Sequence, residues 1–462
     1  MCTRVMWPEA GGAVLVGRNM DFHKDLMTNL WKQPRGVKRD DGVSGKLAWT
    51  SKFGSVVATA FDITSVDGMN EAGLAGHILW LAESTYGEPD ASRTQLGQAI
   101  WLQYFLDNFA TVAEAVAWIA QTDVQVVQMD DPTGGARPGL HLALDDASGD
   151  SAIVEYVDGK ARVYHSKSYK VMTNSPTFDQ QLELVKSFTG LGGDQPIPGS
   201  TLASDRFARA SYYADRLPEP SSQVEAIASM FSVIRNAAQP FRIPDPGKPD
   251  ASQTIWQVVL DLTNKRYVYE STTRPNIVWV DLADLDFSEG SPQLKLDLIG
   301  QLAVQGGIAG NVADKFEDKG AMTFLSLRLL RQLEGPRPSP SERQPVLFAR
   351  PGSPISNLRF RNLRYRRLGT VCRCQHVGRT VNGRPGRIAS RAGARRREQP
   401  RPPSLDGARV VSSRLRPLEQ RAGLRLSGRR RLAARGLAAG SCREGGHDGQ
   451  PADRGQSAVL SP

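Results

Sequence analysis

Apolar and polar residues alternate with a period of two in Lys46 to Trp49, Ser55 to Phe61, Leu140 to Leu144, Ser151 to Val157 and Lys160 to His165. That period sends successive side chains to opposite faces of a pleated chain, so each segment predicts a strand with one face on a core. The turn Val157-Asp158-Gly159 joins the last two as a hairpin. Gly12 to Phe22 differs: an almost unbroken apolar run through Val14, Leu15 and Val16 predicts a buried strand, with Arg18 and Asp21 where it runs out into polar residues. Late strands are expected at Thr254 to Leu262, Lys265 to Ser271 and Ile277 to Leu282, the first two joined at Thr263-Asn264.

Helical spacing replaces alternation in Gln95 to Phe109 and again from Thr111 onward. Thr111-Val112-Ala113-Glu114 and Ser222-Gln223-Val224-Glu225 have the form of capping boxes, the second opening an apolar-striped segment that runs to Ala237. Strands, then helices, then strands establish an α+β chain, and periodicity alone carries the fold no further.

Charge divides the chain. Residues 331–462 hold 29 arginines, no lysine and 8 acidic residues, leaving 29 basic and 40 acidic residues in 1–330. The overall charge of +10 therefore describes neither part. An Arg-rich tail points to nucleic acid through phosphate neutralisation. Arg, Pro, Gly, Ser and Ala without Lys, and with few aromatics, point instead to a gene read out of frame or to a disordered extension, so nucleic acid is not the expected partner. Residues 1–330 are expected to form one domain. No run of eighteen apolar residues suggests a membrane span. Without a signal peptide the chain is cytoplasmic, or periplasmic if an upstream export signal is missing from it.

Cys2 is the only cysteine before Cys372. Removal of Met1 would place a thiol and a free α-amine on one residue, so that nucleophile and proton acceptor come joined. Arg18 and Asp21 suit such a site: a fixed cation favours the thiolate, and a carboxylate can hold the α-ammonium. The alternatives are an accidental cysteine at a frayed terminus and an ordinary strand-end ion pair. Cys372, Cys374 and Cys442 lack zinc-ligand spacing, and no metal or organic cofactor is expected.

Five segments together resemble the choloylglycine hydrolase family, which contains the penicillin V acylases and bile salt hydrolases. They are Cys2-Thr3-Arg4, Gly17-Arg18-Asn19-Met20-Asp21, the stretch from Asp67 through Asn70-Glu71-Ala72-Gly73-Leu74 to Trp80, Met172-Thr173-Asn174-Ser175-Pro176-Thr177-Phe178, and Ser204-Asp205-Arg206-Phe207-Ala208-Arg209. The resemblance covers roughly residues 1 to 315 and implies a four-layer αββα N-terminal-nucleophile fold acting on linear amides. It implies Asn174 as an oxyanion donor, a backbone N–H near Trp80 as the second, and an active-site arginine at Arg206 in preference to Arg209. It implies homotetramers. A tryptophan at Trp80, as in the Gram-negative penicillin V acylase-like branch, would form with Phe22 an aromatic wall for an apolar acyl group. Penicillin V and N-acyl homoserine lactones fit that wall better than bile salts do. A bile salt hydrolase, an acyltransferase of the same family and nucleic-acid binding through the tail stand as alternatives. For Asn174, Phe22 and Trp80 the residues alone leave a turn position and core packing open.

Overall fold

The computed structural model describes residues 1–131, 137–243, 252–274, 276–299 and 309–334. The Arg-rich tail lies outside the described residues from 335 onward, as do Cys372, Cys374 and Cys442. Two large sheets dominate. The seven-stranded sheet runs in the order β14 (Val171–Met172), β1 (Cys2–Ala10), β2 (Ala13–Phe22), β15 (Gln253–Asp261), β16 (Arg266–Ser271), β17 (Asn276–Asp281) and β19 (Gly310–Asn311). The nine-stranded sheet runs β13 (Lys160–His165), β12 (Ser151–Val157), β11 (Leu140–Asp145), β8 (Ala75–Trp80), β7 (Thr64–Asn70), β6 (Ser55–Ala60), β3 (Leu30–Gln33), β18 (Leu294–Leu296) and β20 (Glu317–Asp318). Two small ribbons pair β4 (Lys38–Asp40) with β5 (Ala48–Thr50) and β9 (Gln95–Gly97) with β10 (Gln125–Val127).

The inner faces of the large sheets meet in one apolar core that contains Val16, Val258, Ala58, Leu79 and Ile153. Helices α3 (Phe178–Val185), α4 (Ala203–Ala214) and α5 (Gln223–Asn236) extend that core on the outer side of the seven-stranded sheet through Phe178, Phe207, Met230 and Ile234. Helices α1 (Trp101–Asn108) and α2 (Val112–Thr122) cover the other sheet, where Trp101, Phe105 and Val112 pack with Val57, Leu142 and Val154 in a second core. The layers are α, β, β, α, as the resemblance implied. Gly17 makes the helix contact possible: a Cβ there would lie 2.7 Å from both Met230 Sδ and Ile234 Cγ2, so only glycine lets α5 settle on β2.

Local chemistry explains most boundaries. Thr111 Oγ1 accepts the Glu114 N–H while the Glu114 carboxylate accepts the Thr111 N–H, a complete capping box for α2. The second box is only half formed: Ser222 caps Glu225, but the Glu225 carboxylate turns to Ser221. The helix expected over Gln95 to Phe109 begins only at Trp101. Gln95–Gly97 forms a parallel ribbon with Gln125–Val127, and the Gly97 N–H donates to Asp41 O, so tertiary partners take the backbone groups a helix would have used. Helix α6 (Leu327–Glu334) crosses residue 330, so the change in composition there is not the end of folded structure.

Candidate active site

The pairing of β1 with β2 sets Cys2 opposite Met20, Thr3 opposite Asn19 and Arg4 opposite Arg18. Strand alternation then sorts the side chains. Cys2, Arg4, Arg18 and Met20 share the face toward the nine-stranded sheet, where Arg18 binds Val66 O, Asp67 and Ile78 O. Asn19 and Asp21 share the helix face, where Asn19 Nδ2 donates to Ile234 O of α5.

Arg18 Nη2 lies 3.7 Å from Cys2 Sγ, and the guanidinium stacks 4.9 Å from the Trp256 ring centroid. Its Nη1 lies 3.0 Å from Asp67 Oδ2. The same carboxylate oxygen is 2.6 Å from His77 Nδ1, and its mate accepts the Tyr267 hydroxyl at 2.6 Å. All four groups are buried. Burial disfavours the Arg18 charge, but Cys2 and Asp67 more than restore it and hold the guanidinium above its ordinary value. Burial likewise disfavours the Asp67 carboxylate, yet His77, Arg18 and Tyr267 hold it below the usual carboxylate range. His77 is pushed below its ordinary value by burial.

The other side of Cys2 is held through its backbone. The Cys2 N–H donates to Asn174 Oδ1 at 2.7 Å, and Asn174 Nδ2 donates to Trp80 O at 2.6 Å. Arg206, from the first turns of α4, donates to Cys2 O at 2.5 Å, to Thr3 Oγ1 and to Asn174 Oδ1. Its Nη1 is 3.6 Å from Asp21 Oδ2. Asp21 accepts Thr254 Oγ1–H and Gln239 Nε2–H with its two carboxylate oxygens. Met1 extends the ladder: its carbonyl accepts the Asp21 N–H and its α-amine donates to Asp21 O. Burial lowers the pKa of that amine.

Five residues expected at the site, Cys2, Arg18, Asp21, Asn174 and Arg206, thus converge on one strand end. Asn174 presents its oxygen, not its amide N–H, to Cys2. Arg209 lies apart, bonding Pro198 O, Ser200 O and Asn236 O and so fixing the loop before α4. Of the backbone N–H groups that follow Trp80, Leu81 donates to Gly139 O and Ala82 to Ser175 Oγ. The Leu81 bond makes Trp80 and Leu140 a non-hydrogen-bonded pair, which aims the Trp80 N–H away from β11.

A cavity of about 160 Å³ opens beside Cys2, and Phe22 and Trp80 both line it. Met20, Val66, Ile78 and Leu79 continue an apolar wall, while Lys24 and Asp131, paired at 3.6 Å, line it with charge. No group of three or more His, Cys, Asp or Glu side chains able to hold a metal occurs among the described residues.

His77, Tyr267, Gln239 and Thr254 are not among the site residues expected from the sequence. Asp67 was noticed only as part of a motif. Tyr267 reaches Asp67 from the opposite sheet, His77 pairs with Asp67 on the neighbouring strand, Thr254 lies opposite Asp21 on the strand beside β2, and Gln239 comes from the loop after α5. One signal was available, since Asp67 and His77 sit inside segments otherwise apolar enough to be buried, and a buried charge needs a partner.

The family described as linear amide C–N hydrolases, choloylglycine hydrolase family, matches residues 2–295. A penicillin V acylase from Pectobacterium atrosepticum is 43% identical over 321 residues, spanning 64% of this chain and 85% of that protein. A bile salt hydrolase/transferase from Clostridium perfringens is 27% identical over 266 residues, spanning 52% of this chain and 79% of its own length. Among solved structures, a penicillin V acylase from Agrobacterium tumefaciens superposes with a TM-score of 0.65 at 45% identity, covering 71% of this chain and all of that one. A variant of the Clostridium perfringens conjugated bile acid hydrolase shares the fold, with a TM-score of 0.56 at 23% identity over 64% of this chain and 96% of that one.

Proposed function

Because this chain belongs to the choloylglycine hydrolase family of linear amide C–N hydrolases, we propose that it is an acylase that cleaves N-acyl amides through Cys2 as an N-terminal nucleophile, with penicillin V and N-acyl homoserine lactones as its substrate class. The observation that carries this reading is the double hold on Cys2: a guanidinium at its sulfur and a carboxamide oxygen at its nitrogen, beside an apolar cavity.

Hydrolytic removal of Met1 turns the Cys2 nitrogen into an α-amine that keeps Asn174 Oδ1 as its acceptor. The same burial that lowers the Met1 amine would favour a neutral amine there, which is the form a base requires. That amine takes the thiol proton, and the thiolate, facing Arg18, forms a C–S bond to the substrate carbonyl carbon. The carbonyl oxygen becomes an oxyanion, and the Trp80 N–H and the second Nδ2–H of Asn174 are the donors for it. One such donor typically contributes about 100- to 1,000-fold to rate. Collapse breaks the C–N bond as the α-ammonium passes its proton to the leaving amine. Water then attacks the thioester with the α-amine as base, the C–S bond breaks and the thiol is restored.

The apolar wall with Phe22 and Trp80 favours an aryl or long alkyl acyl group. The relatives named for penicillin V support the same choice at higher identity than those named for bile salts or bile acids. The test is amine release from penicillin V, a long-chain N-acyl homoserine lactone and glycocholate, with the full chain beside Cys2→Ala. Cys2-dependent turnover of the first two supports the reading. Preference for glycocholate, or turnover that survives Cys2→Ala, sinks it.

A further inference from the structure

The cavity is not walled by the two sheets alone. Cys2, Met20, Val66 and Leu79 belong to the core between them, whereas Ala99, Met129 and Leu325 form a separate apolar cluster with Ile63 packed against it. All four members of that second group line the same cavity. Leu325 comes from the segment just before α6, near the end of the described chain, and is 5% exposed.

This segment is held by its backbone. The Leu325 N–H donates to Ile63 O and the Leu327 N–H to Gly42 O, each at 2.9 Å. Val43, Leu329 and Leu330 back the cluster from outside. Met129 is seated because Gly97 has no side chain: a Cβ there would lie 2.6 Å from Met129 Cε. One end of the cavity is therefore fixed to the catalytic strands, and another wall is carried by a segment held at Ile63 and Gly42, which lie on neither β1 nor β2.

We propose that Leu325 sets the acyl-chain length the enzyme accepts, as the stop against which the far end of a straight-chain or aryl-ended acyl group abuts. The proposal rests on the acylase reading given above. With the carbonyl held at Cys2 Sγ, each further methylene that finds apolar surface adds about fourfold to binding. Once the chain meets a packed wall, the next methylene forces overpacking and the gain reverses. Leu325 bonds Ile63 and packs with Ala99 and Met129, none of which belongs to β1 or β2, so its size can change without moving those strands.

The test uses N-acyl homoserine lactones of graded chain length with the full chain, Leu325→Ala and Leu325→Phe. Leu325→Ala opens room for about two methylenes, so the preferred chain lengthens and the ratio of long- to short-chain kcat/KM rises about 15-fold. Leu325→Phe moves the preference to shorter chains, and it keeps the proposal testable if the alanine variant fails to fold. A second readout, calorimetric binding of straight-chain fatty carboxylates to Cys2→Ala with and without the Leu325 changes, needs no turnover. Chain-length profiles that stay the same in folded variants, by kinetics and by binding, overturn the role of Leu325 while leaving the acylase reading intact. A shifted binding profile in a protein that hydrolyses none of these amides supports the stop and removes the acylase reading instead.

Discussion

Arg206 donates to the main-chain carbonyl of Cys2 at 2.5 Å, so the guanidinium grips the backbone of the residue that carries the thiol. The same group donates to Asn174 Oδ1, the acceptor of the Cys2 N–H. Cys2 is thereby fixed at both of its backbone polar groups by two side chains that also bind each other. Burial costs Arg206 part of its basicity, and Asp21 is the acidic group that most offsets this.

Arg206→Lys tests that grip. An ammonium is a single point donor and cannot span Cys2 O, Thr3 Oγ1 and Asn174 Oδ1 as the planar fork does. The expected result is a fall in kcat of about 100-fold, the scale seen when a reacting group is misplaced by about 1 Å, with KM little changed. Steady-state kinetics on penicillin V check it. A raised KM at unchanged kcat would instead give Arg206 a place in substrate binding.

Arg18 and Asp67 form a buried pair, so removing either strands the other. Arg18→Gln and Asp67→Asn should each cost about 3–5 kcal/mol of stability, as breaking a buried pair generally does. The double variant should cost clearly less than the two summed, because no uncompensated charge remains. Chemical denaturation of the four proteins gives the coupling. Additive losses would mean that Tyr267 and His77, not Arg18, carry the Asp67 charge.

The Gly17 contact gives a purely steric expectation. Gly17→Ala puts a methyl group into Met230 and Ile234, and overpacking of this kind costs about 1–3 kcal/mol. Thermal unfolding should register it as a lower Tm. An unchanged Tm would mean that α5 can withdraw from β2 without loss.

Much of this was legible in the sequence because it depends on short-range pattern. Alternation located β6, β11, β12 and β13 to within a residue or two, and Thr111 with Glu114 announced α2. Cys2, Arg18 and Asp21 could be grouped because they lie on adjacent paired strands. Asn174 and Arg206 came only from resemblance, since nothing local says that a loop after β14 and the first turn of α4 meet at Cys2. The ribbon at Gln95–Gly97 was missed for a related reason: its hydrogen bonds go to Asp41 and to Gln125–Val127, partners invisible in a local window. His77 was unreadable because a lone histidine in an apolar strand acquires meaning only when Asp67 is known to sit 2.6 Å from it.

His77 also makes stability depend on pH. Its folded value is lowered by burial, so between that value and the unfolded value of about 6.5 the unfolded chain binds more protons than the native one. Stability is then complete above about pH 6.5 and falls as the solution is acidified through this window. Asp67 is also lowered, which leaves its contribution intact until the pH drops below the ordinary carboxylate range, near 3.8. The two losses are therefore separated. Unfolding midpoints between pH 8 and pH 4 should fall first in the histidine window, and His77→Gln, which retains a donor for Asp67, should remove that first fall. A wild-type midpoint that rises from pH 7 to pH 5 would mean that His77 takes up its proton in the native state, between Asp67 and the Asp145 carboxylate 3.6 Å from its Nε2.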